Sequence, residues 1–146
     1  MARRDTIRGM ADARAEYDKN DRGKGSLADY RGVLQPKNDR VRLQLAGSNP
    51  FQEQLARIVE SGAAPLETAI TRRSQQQEGV DAEIEVRLFT GSMVSGPVGY
   101  VPRGLEAVVD EALSRLDIAG RKQRIPVEIT TKRGIHRVDL LMGKTR

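Results

Sequence analysis

The sequence predicts an α+β domain in which a small, mostly antiparallel or partly closed sheet packs against two helices. Several short segments alternate apolar and polar residues, which is the period of a half-buried strand. Two longer segments repeat apolar residues at helical spacing. These elements follow one another in the order β-α-β-β-β-α-β-β, and the short connections between them favour antiparallel neighbours.

The first strand and the first helix are predicted at the start of a domain that covers residues 40–146. Residues 41–45 alternate apolar and polar side chains. Asn49 is a good N-cap and Pro50 a good first helical residue, and Gly62 ends the helix. One helix face then carries the apolar residues Phe51, Leu55, Ile58 and Val59.

The remaining strands and helix are predicted from the same two patterns, alternating apolar residues for a strand and apolar residues at helical spacing for a helix. A second helix runs from Pro102 to Gly120, with apolar residues on one face and acidic residues on the other. Arg133-Gly134 is expected to form the tight turn of the last hairpin. Strands are predicted over residues 66–72, 84–88, 97–101, 125–131 and 135–142, and loops over 72–79 and 91–96.

Residues 1–39 are predicted to form a basic, flexible arm that precedes the domain. The segment 20–26 contains only polar residues and glycine, so it has nothing to bury. A short helix over residues 6–17 would be marginal in isolation. We expect the arm to become helical only when it is bound.

The composition excludes several classes of function. The 146 residues contain no cysteine and only His136 as histidine, which removes thiolate chemistry, zinc clusters and most Ser-His catalysis. We therefore expect no catalytic residue, no metal, no cofactor and no small-molecule substrate. The chain has no apolar run long enough for a membrane span and no apolar signal segment after its first residues, so a cytoplasmic protein is expected.

Positive charge is concentrated near the two ends of the chain. The pI is about 9.9 and the net charge is +5. Residues 121–146 hold eight Lys and Arg against two Asp and Glu, whereas residues 41–120 hold seven against eleven. A basic segment of this kind favours an anionic partner, of which nucleic acid is the commonest for such a protein. An ordinary solvated hairpin is the other interpretation of the same residues.

The candidate nucleic-acid-binding residues lie around the last hairpin and on the strand that precedes the second helix. Cations at phosphate spacing would give an affinity that depends steeply on salt. Tyr100 is included because its ring is on the side of the strand opposite to Val101, where it can stack on a base. The full set is Tyr100, Arg103, Arg121, Lys122, Arg124, Lys132, Arg133, His136 and Arg137.

Two segments resemble the HIRAN family. Pro97-Val98-Gly99-Tyr100-Val101-Pro102-Arg103, leading into an amphipathic helix, is similar to the strand before the family's second helix. Leu45-Ala46-Gly47-Ser48-Asn49-Pro50-Phe51 is similar to the family's opening, where a strand ends at a glycine and a helix begins with an aromatic residue. The resemblance covers roughly residues 40–143.

The resemblance implies an OB-like β-barrel that binds DNA, in preference to RNA, without catalysis. Family members occur beside helicase or remodelling ATPase domains, and also as small bacterial proteins or accessory modules, so such an ATPase is a further expected partner. Family members that capture DNA ends carry paired aromatic residues at positions that correspond here to Gln44 and Leu45. Recognition of a 3′ end is therefore not carried over, whereas general nucleic-acid binding is. The expected ligand is DNA, either single-stranded or containing an end.

Two other functions remain open from the sequence. The protein is an interaction adaptor if its basic arm and a sheet edge recruit another protein. It is a metal-dependent nuclease if Glu83 and Glu85, which share one strand face, hold a divalent ion. Such a pair is more often a solvated strand face.

Overall fold

A six-stranded antiparallel sheet with helices packed on it forms the centre of the structure, a computed structural model that describes residues 17–146. The predicted α+β class is confirmed. The described helices are α1 Gln52–Ser61, α2 Gln75–Gly79 and α3 Glu106–Ile118. The strands are β1 Tyr30–Arg31, β2 Gln35–Pro36, β3 Leu43–Gln44, β4 Leu66–Thr68, β5 Glu85–Val86, β6 Leu88–Thr90, β7 Met93–Val94, β8 Gly99–Tyr100, β9 Pro126–Lys132 and β10 Ile135–Leu140.

The main sheet has the strand order β3-β10-β9-β4-β6-β7, and all its pairs are antiparallel. β9 and β10 form the predicted last hairpin, and both residues of its turn, Arg133 and Gly134, have positive φ. β5 and β8 form a separate pair. The main sheet is not closed on itself, but Ala46 and Tyr100 exchange two backbone hydrogen bonds of 2.8 and 2.7 Å beside it.

The two long helices lie where the sequence predicts them. α1 follows a 3₁₀ turn that contains Pro50, and Gly62 ends it in the left-handed conformation. Leu55 and Ile58 are buried as expected, whereas Val59 is exposed because α1 packs through a narrower stripe than the pattern indicated. α3 begins at Glu106, four residues after the predicted start.

Two elements appear in segments that were predicted to be loops. α2 lies within residues 72–79, where Ser74 and Gln77 form a reciprocal capping box at its start. β7 lies within residues 91–96 and pairs with β6 at the edge of the main sheet. The spacing Ser-x-x-Gln is typical of a helix start, so α2 could have been predicted from the sequence.

Residues 17–39, which were predicted to belong to the arm, pack against the rest of the structure. Tyr30 belongs to the hydrophobic core, and Asp21 is buried. Lys24 forms a β-bridge with Gln44, the last residue of β3. The described part of the predicted arm is thus part of the folded unit, and residues 1–16 lie outside the described residues.

The hydrophobic core fills the space between α3 and the sheet. The apolar face of α3 contributes Val108, Val109, Ala112 and Leu113, all fully buried. Leu43, Leu88, Val138 and Leu140 contribute from the strands. Among residues 17–146, no helix is long and apolar enough to cross a membrane.

The hydroxyl of Tyr30 is buried in this core, and no group among the described residues forms a hydrogen bond with it. Burial, aided by the negative charge of Asp29, raises the pKa of Tyr30 from 10.0 to about 12. The unfolded chain therefore ionises first, and the folded state should lose stability as the pH rises from about 10 to about 12. Urea titrations across this range should show the loss, which Tyr30→Phe should reduce. The same variant should be equally or more stable at pH 7, because it removes an unpaired polar group.

Candidate nucleic-acid interface

Lys132 and Arg133 form an exposed cationic tip on the last hairpin. Lys132 is the last residue of β9, and Arg133 occupies the turn before β10. Both side chains are exposed, and neither forms an ion pair with any residue from 17 to 146. Two unpaired cations on a projecting turn can approach a phosphate backbone without first breaking an internal contact.

Arg121 and Lys122 form a second exposed pair at the opposite end of β9. They follow the end of α3, and the described structure places no carboxylate in an ion pair with either. β9, which has seven residues and is roughly 20 Å long, lies between the two pairs in the chain. The structure therefore divides the predicted cation cluster into two groups instead of one continuous patch.

Arg137 lies inside the structure and is bound to the segment before β1. Its guanidinium donates to Asp21 Oδ1 at 3.0 Å and to the carbonyl of Asn20 at 2.7 Å. Only 9% of Arg137 and 3% of Asp21 remain exposed. Arg137 therefore holds residues 20 and 21 in place, and its charge is already balanced by a buried carboxylate.

Arg103 and Arg124 are also paired. Arg103 lies 2.9 Å from Asp81 and 2.8 Å from Glu106, so two carboxylates share its charge. Arg124 lies over the ring of Phe89, 3.9 Å from its centroid, and 3.5 Å from Glu67. These contacts leave less charge for a phosphate than the sequence indicated.

His136 is held between the hairpin and α1. Gln52 accepts from the backbone N–H of His136 at 2.7 Å and donates to its carbonyl at 2.9 Å. The imidazole Nδ1 lies 2.7 Å from the Thr131 hydroxyl. The ring is half-buried beside the cationic tip, with one nitrogen already engaged.

Tyr100 is half-buried and lies among negative charges. Burial, together with Glu85 and Glu83, raises the pKa of Tyr100 above 10.0. Glu85 is its direct partner in the β5–β8 pair. The negative charges near this ring repel a phosphate, so Tyr100 is poorly suited to join the cationic tip in binding nucleic acid.

Two features of this surface have no signal in the sequence. Tyr17 contacts Tyr100 from the predicted arm, and Asp21 neutralises Arg137 from a position 116 residues earlier. No local pattern indicates contacts between residues so far apart in the chain.

Within residues 17–146, no three acidic or histidine side chains are grouped so that they could hold a metal ion.

The nine predicted residues thus fall into three sets. Four are exposed cations without an ion pair among the described residues, three are cations bound to carboxylates, and Tyr100 and His136 are half-buried.

Comparison of the chain with protein-family models, curated proteins and solved structures finds no match in any of them. The functional proposal therefore rests on the positions and ion pairs of these residues.

Proposed function

We propose that this protein is a non-catalytic, cytoplasmic nucleic-acid-binding module that binds DNA through the two ends of its last hairpin. The observation that supports this best is the set of four exposed cations, Arg121, Lys122, Lys132 and Arg133, none of which is paired with a described carboxylate. Neutralising phosphates with such residues releases counterions and provides affinity without base recognition.

The separation of the two cation pairs favours an extended ligand. A strand or duplex that follows the hairpin can contact both pairs, whereas a single phosphate group can contact only one. The proposed interface includes His136 beside the tip and leaves out Arg103, Arg124 and Arg137, because carboxylates already balance their charge. It also leaves out Tyr100.

We further propose that the fold is a HIRAN-type, partly closed barrel. The order of strands and helices and the segment 97–103 support this proposal. Backbone hydrogen bonds between Ala46 and Tyr100 support it as well, since they bring the end of the β3 segment to β8. On this view a helicase or remodelling ATPase is the expected protein partner.

Replacing the free cations should weaken DNA binding in proportion to the phosphates lost. We expect Lys132→Gln with Arg133→Gln, and separately Arg121→Gln with Lys122→Gln, to lower the slope of log affinity against log salt by about 1.5 each. Fluorescence anisotropy with single-stranded, duplex and 3′-overhang DNA measures this slope. Arg31→Gln, which removes an exposed cation from β1, is the control and should leave it unchanged.

Two results would reject the proposal. One is no binding to any of these DNAs at low salt. The other is a slope that is the same in the unmodified protein and in a variant that combines all four of these substitutions. Retained binding with an unchanged slope would place the interface elsewhere on the chain.

The adaptor function is the second candidate, and the edge strand β7 favours it. Met93 is 71% exposed and Val94 52% exposed, at an edge of the main sheet where backbone groups can accept another strand. A specific partner that co-purifies after nuclease treatment, and that Val94→Pro removes, would support it. Loss of every co-purifying protein on nuclease treatment would count against it.

A further inference from the structure

Two tyrosine rings lie side by side over Gly47. The ring centroids of Tyr17 and Tyr100 are 6.4 Å apart, and their planes are inclined by 30°. A Cβ on Gly47 would lie 2.8 Å from Tyr17 Cε1 and 3.0 Å from Tyr100 Cδ1. The glycine therefore permits both rings to lie against the backbone, and both remain partly exposed to solvent.

Two carboxylates lie near the Tyr100 ring of this pair. Glu85 is directly opposite Tyr100 in the β5–β8 ladder, so the two side chains share a face. Glu83 lies two residues earlier and follows the same alternation. Both are exposed, and both oppose ionisation of the Tyr100 hydroxyl by their negative charge.

Aromatic faces and nearby carboxylates attract the same kind of ligand, a positively charged group of low hydration. The chain contains a contact of this chemistry elsewhere, where Arg124 lies over the ring of Phe89 with Glu67 beside it. A phosphate at the tyrosine pair would meet repulsion from Glu83 and Glu85. The surface around the rings thus fits a cation and disfavours nucleic acid.

We propose that Tyr17, Tyr100, Glu83 and Glu85 form a binding site for an alkylammonium group. Such a group is carried by a lysine or methylated lysine side chain of another protein, or by a small quaternary amine. The site is distinct from the four hairpin cations and does not depend on DNA binding.

Titration of the full chain with tetramethylammonium chloride, followed by NMR, tests the proposal. We expect saturable shifts centred on the amides of Gly47 and Tyr100, and smaller shifts with the neutral analogue tert-butanol. Tyr100→Leu and Tyr17→Leu should each weaken binding about two- to fivefold, whereas Tyr100→Phe should retain it, because the ring face is what attracts the cation.

Charge variants provide a test that leaves the rings in place. Arg87 lies 3.2 Å from Glu85, so it competes with a bound cation for that carboxylate. We expect Arg87→Gln to strengthen binding and Glu83→Gln with Glu85→Gln to weaken it, each by up to about fivefold. Glu78→Gln, an exposed carboxylate on α2, is the matched control and should have no effect.

The source of the ammonium group follows from a comparison of two ligands. Tighter binding of N-acetyl-trimethyllysine amide than of choline indicates a protein side chain, and the reverse indicates a free amine. The proposal is overturned if tert-butanol produces the same shifts, or if Arg87→Gln weakens binding. Should Tyr17→Leu disturb the fold, the charge variants still decide the outcome.

Discussion

Asp21→Ala should destabilise the protein by about 3–5 kcal/mol, since it leaves the buried guanidinium of Arg137 without its counter-charge. The same carboxylate accepts from the backbone N–H groups of Ser48 and Asn49, each at 2.8 Å. Removing it leaves a buried cation without a counter-charge and two backbone donors, one buried and one half-buried, without this acceptor. Because a domain of this size is stable by only about 5–15 kcal/mol, the loss is a large share of the total.

Urea unfolding monitored by circular dichroism measures this effect. Asp18→Ala is the matched control, because Asp18 is exposed and, among residues 17–146, its carboxylate contacts only the Asn49 side chain. Adding Arg137→Met to Asp21→Ala should recover part of the stability, since no unpaired charge then remains. A change below 1 kcal/mol in Asp21→Ala would show that residues 20 and 21 do not dock in solution as described.

Gly99→Ala should cost about 2–3 kcal/mol through steric overlap. A Cβ at this position would lie 2.8 Å from Ser48 Oγ, 2.9 Å from the Ala46 carbonyl oxygen and 3.2 Å from Leu45 Cβ. The extra methyl group must push β8 away from residues 45–48. We therefore expect loss of the two hydrogen bonds between Ala46 and Tyr100 along with the lost stability.

Hydrogen exchange of the Ala46 and Tyr100 amides, combined with thermal unfolding, tests this expectation. Gly79→Ala is the control, because a Cβ on Gly79 would have no atom within 4 Å and the residue ends α2 without a positive φ. It should be neutral or slightly stabilising. If the Ala46 and Tyr100 amides were as protected from hydrogen exchange in Gly99→Ala as in Gly79→Ala, the steric argument would be contradicted.

Local patterns predicted the elements whose signals lie within one segment. The last hairpin, α1 and α3 were predicted in the correct segments, because turn residues and apolar spacing act over a few positions. The predicted N-cap was wrong, since Asn49 lies in a 3₁₀ turn and α1 begins at Gln52 without a side-chain cap. The position of Tyr30 in the core and the docking of Asp21 were not predicted. Both depend on contacts with elements that come much later in the chain, and the residues around them are polar.

The candidate site was predictable only as a set of positive charges. The sequence located the basic segment, but it did not indicate which cations meet a carboxylate. Arg137 and Lys132 differ by five positions on one hairpin, yet one is buried on Asp21 and the other is exposed. Both side chains lie on the same face of the hairpin, so the difference arises from how far along that face residues 20 and 21 extend, a tertiary property with no local signature.

The pairing of early segments with the last hairpin has a consequence for synthesis of the protein. β3 pairs with β10, and Asp21 forms its ion pair with Arg137, which is synthesised 116 residues later. At ordinary rates of translation that interval lasts on the order of ten seconds. Until β10 has been synthesised, β3 lacks its neighbour in the main sheet and Asp21 lacks the guanidinium of Arg137, and a truncation before residue 135 removes both partners.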